Sequence, residues 1–224
     1  MENLTLLIPA KNEASCLPKV LEELKNYNCK KLVVLDPEDF ETQNSIKNLN
    51  CEIYIQKKTG YGNAIIEGIN NINTEYLCIF NADGSFDPKI LNLMINLNRD
   101  ENDFIFASRY IKGGGSEDDT LITFVGNKLF TFLGNLFFNL KISDILYTHI
   151  MGKSSAFKSL KLKNSDFRIC VEIPIIMKKM GFKYASIPSF ERKRISGEKK
   201  VNALFDGTLI FFEIIKLLFR SKKN

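Results

Sequence analysis

The chain has 224 residues, of which 45% are apolar and 25% charged. This length and composition are sufficient for a hydrophobic core, and we expect residues 1–224 to form a single domain. Five widely spaced cysteines without a C-x-x-C pair argue against a disulfide framework or a zinc site and favour a reducing cytoplasm. The single histidine, His149, argues against histidine-rich metal sites.

The net charge of +5 is distributed unevenly along the chain. Residues 1–152 hold 14 Lys and Arg against 20 Asp and Glu, a net of −6, whereas residues 153–224 hold 17 against 6, a net of +11. This asymmetry indicates an anionic partner, such as an anionic lipid or a phosphorylated substrate, or else a solvated basic face. No nucleic-acid partner is expected, because the basic residues are not interleaved with stacking aromatics and the chain has no Trp.

Short apolar runs alternate with amphipathic stretches through the first half of the chain. The predicted strands are residues 4–8, 31–35, 52–55, 76–80 and 103–107, and the predicted helices between them are residues 16–27, 60–72 and 88–97. This alternation is typical of an α/β fold in which helices cover both faces of a mostly parallel sheet. Ligands bind such sheets at the carboxyl ends of the strands.

Acidic residues follow three of the predicted strands. Glu13, Asp36 and Asp83 each come just after a strand end, so we expect them to lie along one edge of the sheet. Asp83 lies between two small residues, which would let a large charged ligand approach the backbone. Because hard cations take oxygen ligands and keep positions for phosphate, Asp83 could hold a divalent cation against a diphosphate. Asp87, just before Pro88, is interpreted as a helix cap.

Two apolar segments follow, at residues 120–142 and 203–220, and both are predicted to form amphipathic helices. Polar residues recur every four positions in the first segment, opposite a broad apolar face: Thr123, Asn127, Thr131, Asn135 and Asn139. Asparagines in one segment and charges in the other argue against membrane spans. Helices lying in a membrane interface fit better, with the basic residues 220–223 near lipid phosphates. The alternatives are packing on each other or on the sheet, or an oligomer interface.

Six motifs occur in a fixed order along the chain. They lie at residues 8–13 (IPAKNE), 33–36 (VVLD), 60–64 (GYGNA), 81–83 (NAD), 107–114 (ASRYIKGG) and 188–202 (PSFERKRISGEKKVN). Together they resemble family 2 glycosyltransferases of the GT-A fold, in particular the dolichyl- or polyprenyl-phosphate sugar transferases. The resemblance extends over almost the whole chain.

The resemblance implies an inverting transferase with a nucleotide-diphosphate sugar as donor, Mg²⁺ or Mn²⁺ as cofactor and a polyprenyl phosphate as acceptor. Such a protein would be cytoplasmic and peripherally bound to the cytoplasmic face of a membrane, and it could form a homo-oligomer. Two other functions stay open. One is transfer to a saccharide in surface polysaccharide or lipopolysaccharide synthesis. The other is non-catalytic binding of a nucleotide sugar.

The same resemblance assigns residues to roles. Asp83 and Asn81 would bind the metal, with Asn81 standing where the family has the first acid of its D-x-D motif, and Arg194 would assist catalysis by binding phosphate. The predicted donor-binding residues are Pro9, Ala10, Asn12, Glu13, Asp36, Gly62, Asn63, Asn81, Ala82 and Arg109. For a hydroxyl acceptor, Asp144 is the candidate general base and Glu172 the second candidate. A lipid phosphate would need no strong base, since its second pKa is about 6.

Overall fold

The computed structural model describes residues 1–197 and 200–220, with the backbone alone at residues 99 and 100. Seven strands form one sheet in the order β3-β2-β1-β4-β7-β5-β8. They are β1 (Leu4–Ala10), β2 (Lys30–Leu35), β3 (Glu52–Ile55), β4 (Tyr76–Ile79), β5 (Phe104–Ser108), β7 (Ile150–Lys153) and β8 (Tyr184–Pro188). The short strands β6 (Gly115–Ser116) and β9 (Phe190–Glu191) pair separately.

Eight α-helices connect these strands in the described part of the chain. They are α1 (Leu17–Glu23), α2 (Phe40–Ile46), α3 (Tyr61–Asn71), α4 (Leu91–Asp100), α5 (Leu121–Phe138), α6 (Ser154–Ser159), α7 (Ile169–Lys179) and α8 (Ala203–Phe219). Short 3₁₀ turns follow α1 at Leu24–Asn26 and precede α4 at Pro88–Ile90.

The sheet is parallel except at β7, which runs antiparallel to both β4 and β5. The predicted mostly parallel α/β fold is confirmed, and all five predicted strands are present as β1 to β5. Strand β7 was not predicted, because Ile150–Lys153 contains only four residues and includes a glycine and a lysine.

Two hydrophobic cores lie on opposite faces of the sheet. On β1, Leu7 packs with residues of α3, α5, α6, α7 and α8, whereas Leu6 and Ile8 pack with residues of α1, α2 and α4. Because successive side chains of a strand point to opposite faces, a strand covered on both sides must be apolar throughout. This explains the uninterrupted apolar runs and confirms the predicted helices on both faces.

Helix α5 has most of its polar residues inside and many of its apolar residues outside, and α8 also exposes several large apolar residues. The amide of Asn127 bonds to Asp144, the hydroxyl of Thr131 bonds to Asn127, and the amide of Asn135 bonds to the Ile142 carbonyl at 2.8 Å. On α8, Glu213 is buried. Among the described residues, α5 is the one helix that is long and apolar enough to cross a membrane, judged by length and composition alone.

The helix predicted at residues 120–142 is shorter in the structure. Helix α5 ends earlier than the predicted residue 142, because Asn139 adopts a left-handed conformation with φ of 52°. The basic residues predicted to meet lipid phosphates lie outside the described residues, except Arg220. A single domain over residues 1–224 therefore stays a prediction, although the described elements from β1 to α8 all pack on one sheet or on its helices.

Candidate active site

A cleft of about 600 Å³ lies at the carboxyl ends of β1, β2 and β4. This is the edge of the sheet at which the sequence predicted a site. Ten of the predicted site residues line the cleft: Pro9, Ala10, Asn12, Glu13, Asp36, Asn81, Ala82, Asp83, Arg109 and Arg194. Asp144, Gly62 and Asn63 are not among the lining residues.

One end of the cleft is built by the loops after β1 and β2. Asp36 is buried and accepts hydrogen bonds from Lys11 Nζ at 2.9 Å and from the Glu38 amide at 3.2 Å. The bond from Lys11 lowers the pKa of Asp36, so this carboxylate stays ionised at neutral pH. Asn12 has a left-handed backbone with φ of 55°, and its backbone N–H donates to Asp39 Oδ2 at 2.6 Å. The turn after β1 is thereby tied to the start of α2.

The centre of the cleft is the loop that follows β4. Asp83 Oδ1 accepts hydrogen bonds from both the amide (2.9 Å) and the hydroxyl (2.7 Å) of Ser85. The side-chain amide of Asn81 donates to the same hydroxyl at 3.2 Å. Asp83 Oδ2 lies 3.7 Å from Arg194 Nη1, and Arg194 Nη2 lies 2.7 Å from Asp118 Oδ2. Ser85 therefore orients Asp83, and Arg194 joins two carboxylates.

The Asp83 loop offers oxygen ligands of the kind that bind a divalent cation together with a phosphate. Within residues 1–197 and 200–220, no three His, Cys, Asp or Glu side chains form a metal-binding group. Asp83 and Asn81 offer oxygen ligands, and magnesium-like ions typically bind one or two carboxylates together with waters and substrate phosphates. The residues fit a cation that is shared with a diphosphate, and they do not form a closed protein site.

Arg109 lines the cleft and is held from behind by Asp144. Its Nε and Nη2 donate to the two oxygens of Asp144 at 2.7 and 2.9 Å, and its Nη1 lies 3.0 Å from Glu191 Oε2. The guanidinium also lies 4.6 Å from the ring centroid of Tyr147. The side chain of Asp144 has 0% exposure and receives a further hydrogen bond from Asn127.

This geometry argues against Asp144 as a general base. Both of its oxygens are occupied by donors, and its carboxylate faces Arg109 and Asn127 instead of the cleft. The second candidate, Glu172, is also committed: it is fully buried and accepts from the amides of residues 163 and 164 and from Arg220 Nη1 at 3.0 Å. Neither carboxylate is placed to take a proton from an acceptor.

Gly62 and Asn63 serve packing instead of lining the cleft. A Cβ at position 62 would lie 2.1 Å from the Asn164 carbonyl oxygen, so the start of α3 can approach the loop before α7 only with glycine there. The Asn63 side chain donates to the Thr59 carbonyl at 2.8 Å, within its own turn. From the same motif, it is Gly60, Tyr61 and Ala64 that line the cleft.

Several lining residues were not predicted from the sequence. The cations Lys11 and Lys200 lie at the rim, where Lys200 forms an ion pair with Glu13, and Asp119 accepts from the hydroxyl of Tyr110. The described lining holds six carboxylates and four cations: Glu13, Asp36, Asp83, Asp118, Asp119, Glu191, Lys11, Arg109, Arg194 and Lys200. Two of these carboxylates, Asp118 and Asp119, match none of the six motifs. Only proximity to the 107–114 motif could have indicated them.

The sequence matches a known family over most of this sheet. The model of the family described as Glycosyl transferase family 2 matches residues 5–161. The chain belongs to glycosyl transferase family 2. Membership of family 2, which the six motifs predicted, is thereby confirmed. A dolichol-phosphate mannosyltransferase of Pyrococcus furiosus is 23% identical to this family 2 chain over 231 residues. The match covers 98% of this chain and 63% of that protein, so the chain spans less than two thirds of its relative's length.

Solved structures share the fold of this family 2 chain. Mannosyl-3-phosphoglycerate synthase from Rubrobacter xylanophilus superposes with a TM-score of 0.70 at 16% identity, covering 96% of this chain and 72% of that one. Glucosyl-3-phosphoglycerate synthase from Mycobacterium tuberculosis, in complex with Mn²⁺, UDP and phosphoglyceric acid, gives 0.75 at 10% identity, with coverage of 98% and 80%. At these identities the likeness shows the fold, which is GT-A-like as predicted.

Proposed function

We propose that this protein transfers a sugar from a nucleoside-diphosphate sugar to a membrane-associated polyprenyl phosphate, with inversion at the anomeric carbon. The observation that carries the proposal is the Asp83 loop. It is oriented by Ser85 at the carboxyl end of β4, lines the same cleft as the ionised Asp36 and lies 3.7 Å from the guanidinium of Arg194. Family membership makes a glycosyl transfer the reaction to expect of such a site.

The donor would lie along the edge of the sheet. Asp36 and Glu13, with Pro9 and Ala10, are proposed to contact the nucleoside, and Asp83 and Asn81 to hold Mg²⁺ or Mn²⁺ on the diphosphate. When bound, the cation offsets the negative charge that develops on the departing diphosphate. The glucosyl-3-phosphoglycerate synthase complex with Mn²⁺ and UDP supports this choice of cofactor.

Arg194 is proposed to add positive charge on the diphosphate. A guanidinium matches phosphate oxygens bidentately. Its pKa is raised because Asp118 accepts a hydrogen bond from it, so it remains fully charged at any pH at which the protein works. In the structure its Nη1 lies 3.7 Å from Asp83, in the loop that would carry the metal, and its Nη2 lies 2.7 Å from Asp118.

A phosphate acceptor fits the carboxylates of the site better than a sugar hydroxyl does. The name of the Pyrococcus furiosus relative includes dolichol phosphate. A phosphate monoester is largely ionised at neutral pH and is a nucleophile without a base. A hydroxyl would need a base, and neither carboxylate predicted for that role is available: Asp144 is committed to Arg109, and Glu172 is committed to Arg220 and two backbone amides.

The exposed faces of α5 and α8 support an acceptor in a membrane. Large apolar side chains are exposed along both helices: Leu121, Ile122, Val125, Leu129, Phe132 and Leu136 on α5, and Leu204, Phe205, Phe212 and Phe219 on α8. A contiguous apolar surface of this kind marks a membrane or protein contact. We propose peripheral contact with the cytoplasmic face of a membrane, with self-association as the alternative use of the same surface.

A transfer assay tests the proposal. The protein is incubated with UDP- and GDP-sugars, Mg²⁺ or Mn²⁺, and a polyprenyl phosphate in detergent, and the glycosylated lipid is measured. We expect product with one donor and at least about a 100-fold loss in Asp83→Asn, about 2.7 kcal/mol of transition-state stabilisation.

Asp87→Asn is the matched control for this assay. Asp87 caps the turn before α4 by accepting from the Lys89 amide at 2.9 Å and does not line the cleft, and Asn is also a good cap. Its activity should stay within about twofold of wild type. Equal losses in the two variants, or no lipid product with any donor, would overturn the proposed function.

A further inference from the structure

The guanidinium of Arg194 lies between two carboxylates of the cleft. Its Nε and Nη2 donate to the two oxygens of Asp118 at 3.3 and 2.7 Å, and its Nη1 lies 3.7 Å from Asp83 Oδ2. The three side chains are each at most 20% exposed, so these charges interact largely out of contact with solvent. Asp118 makes the closer, bidentate contact, and it therefore sets the direction in which the third nitrogen faces Asp83.

The backbone on either side of Arg194 is tied to the loop that carries Asp83. The Arg192 N–H donates to the Ser85 carbonyl at 2.8 Å, and the Ile195 N–H donates to the Asp83 carbonyl at 2.9 Å. While these two hydrogen bonds hold, the backbone of Arg194 stays beside the loop. Only its side chain can then change partners.

Asp118 is itself held in place by a pair of short strands. Strand β6 pairs with β9, which places Ser116 beside Glu191, and the Ser116 hydroxyl accepts from the Asp118 N–H at 3.2 Å. Strand β9 ends three residues before Arg194, so the pairing brings the carboxylate and the guanidinium together. Asp118 belongs to none of the six motifs, and its contact with Arg194 is therefore a feature of this chain that the family resemblance does not supply.

The two oxygens of Asp83 have different surroundings. Oδ1 accepts two hydrogen bonds from Ser85, which leaves Oδ2 as the oxygen better placed to bind a cation, and Oδ2 is the oxygen that faces Arg194. A divalent cation on Oδ2 would lie about 2 Å from it and close to a guanidinium of like charge. Phosphate oxygens relieve this repulsion, because they can bind the cation and accept from the guanidinium at the same time.

We propose that Arg194, positioned by Asp118, is the counter-ion of Asp83 in the empty cleft and opposes metal binding until a nucleoside diphosphate is present. Asp118 is then a positioning residue, which keeps the guanidinium beside the loop when diphosphate oxygens replace Asp83 as its partner. The inference rests on the proposed function for its donor and its cation. It adds an order of binding, in which the cation and the nucleoside diphosphate enter together.

Binding of Mn²⁺ without any nucleotide tests the counter-ion. Free Mn²⁺ is measured by its EPR signal while the metal is titrated into the wild type and into Arg194→Gln. Because the variant lacks the positive charge next to Asp83, it should bind Mn²⁺ at least about tenfold more tightly. Adding Asp83→Asn to Arg194→Gln should abolish that gain.

Lys193→Gln is the matched control for this titration. Lys193 is the exposed neighbour of Arg194 and does not line the cleft, so its loss should change the Mn²⁺ affinity by less than about twofold. If Arg194→Gln does not fold, Arg194→Met removes the same charge and retains a long side chain. Equal Mn²⁺ affinities of the wild type and the Arg194 variant, or no measurable binding by either, would overturn the proposal.

A nucleoside diphosphate should relieve the opposition to the metal. Saturating UDP or GDP should tighten Mn²⁺ binding to the wild type at least about 100-fold, and the gain in Arg194→Gln should be about tenfold smaller, because no guanidinium has to leave Asp83. The same gain in both proteins would contradict the proposal.

Asp118→Asn distinguishes a positioning residue from a metal ligand. When it is combined with Arg194→Gln, it should change the Mn²⁺ affinity by less than about threefold, because Asp118 acts through Arg194. A further loss of about tenfold or more would identify Asp118 as a ligand and overturn its positioning role.

Transfer and metal binding can fail separately. The expected Mn²⁺ affinities in a protein that transfers no sugar to polyprenyl phosphate would reject the proposed function and keep the counter-ion. Transfer by a protein whose Mn²⁺ affinity does not depend on Arg194 would keep the proposed function and reject the counter-ion.

Discussion

Arg109 reaches the cleft with its guanidinium fixed in place by Asp144. Three of its five N–H groups are used by Asp144 and Glu191, and the rest of the fork faces Tyr147 and the cleft. A guanidinium held from behind by a buried carboxylate is oriented before any ligand arrives, which reduces the cost of binding phosphate. Asp144 thus acts as a positioning residue for Arg109.

Replacing Asp144 distinguishes this role from general base catalysis. In Asp144→Asn, one partner of a buried ion pair is lost, and we expect the free energy of unfolding to fall by about 3 kcal/mol, measured in urea. KM for the nucleotide-sugar donor should rise more than kcat falls, and the pH profile of kcat should keep its shape. Loss of the acidic limb of that profile with unchanged stability would instead identify Asp144 as the base.

The substitution Arg109→Lys tests whether Asp144 acts through Arg109. Lysine retains the charge but cannot make the bidentate contact. Because Asp144 is expected to act through Arg109, the double variant should cost little more in KM than either single change. Fully additive effects would mean that the two residues act independently.

His149 is buried without a hydrogen-bond partner for either ring nitrogen among the described residues. It stacks on Phe86 with centroids 4.4 Å apart and meets the edge of Phe80 at 5.4 Å. Burial lowers its pKa to about 3 from the ordinary 6.5, so it is neutral in the folded protein. Below pH 6.5 the unfolded chain gains a proton that the folded protein does not take up until about pH 3, and stability therefore falls with falling pH.

We expect this histidine to cost about 2 kcal/mol of unfolding free energy between pH 7 and pH 5. His149→Phe keeps the ring stacking and removes the titrating group, so its unfolding free energy should depend on pH less steeply over that range. The measurement is urea denaturation of both proteins at the two pH values. Identical pH dependence would show that His149 is already able to protonate in the folded state.

At the scale of the helices, α5 turns its polar side towards the protein and its apolar side outward, the reverse of an ordinary surface helix. Its polar stripe bonds to Asp119, Asp144 and the segment around Ile142, and its apolar side is exposed. The sequence revealed the stripe through its four-residue spacing. It did not reveal which side faces inward, because the answer depends on buried partners such as Asp144, which lie elsewhere in the chain.

Vesicle flotation tests the role of this exposed side. The double variant Leu129→Gln, Phe132→Gln should reduce binding to anionic lipid vesicles about tenfold or more, because it removes two large apolar contacts. Leu93→Gln with Ile55→Gln is the matched control, since these side chains are also exposed but lie on α4 and β3. If the wild type does not float at low salt, membrane contact is wrong, and a concentration-dependent dimer would assign the surface to self-association.

Strands and long helices were predictable where the pattern is local. Strands β1, β2 and β4 contain apolar runs of at least four residues because both faces are covered, and α3 shows helical spacing. Helices α2 and α6 and strand β7 were missed because they are short and take their place from tertiary contacts, as when Ile150–Lys153 inserts between β4 and β5. Propensity over four to seven residues is too weak to indicate this.

At the scale of the whole molecule, the expectation that ligands bind at the carboxyl ends of parallel strands located the site correctly. The predicted site residues that do not line the cleft are explained by packing. Asp36 and Asp83 meet at one edge because parallel strands end there. Gly62 looked like a ligand-binding glycine, but it is a contact between α3 and the loop at residues 164–166. Asp144 looked like a free acid, since its partner Arg109 lies 35 residues away in sequence. Neither contact leaves a local signal in the sequence.

The charge of the molecule is also redistributed by folding. The basic C-terminal part does not produce a basic cleft, since Arg220 pairs with buried Glu172 and Arg194 pairs with Asp118. The described lining of the cleft carries six carboxylates against four cations. A diphosphate entering this cleft alone would meet net negative charge, and a divalent cation bound at Asp83 would offset that charge.

The most direct test is therefore the metal dependence of nucleoside diphosphate binding. UDP and GDP are titrated calorimetrically into the wild-type protein with Mn²⁺, with Mg²⁺, and with EDTA. We predict binding of at least one nucleoside diphosphate with a cation, weakened about 100-fold or more by EDTA. Binding of equal strength in EDTA, or no binding of either nucleoside diphosphate with either cation, would contradict a metal-assisted donor site at Asp83.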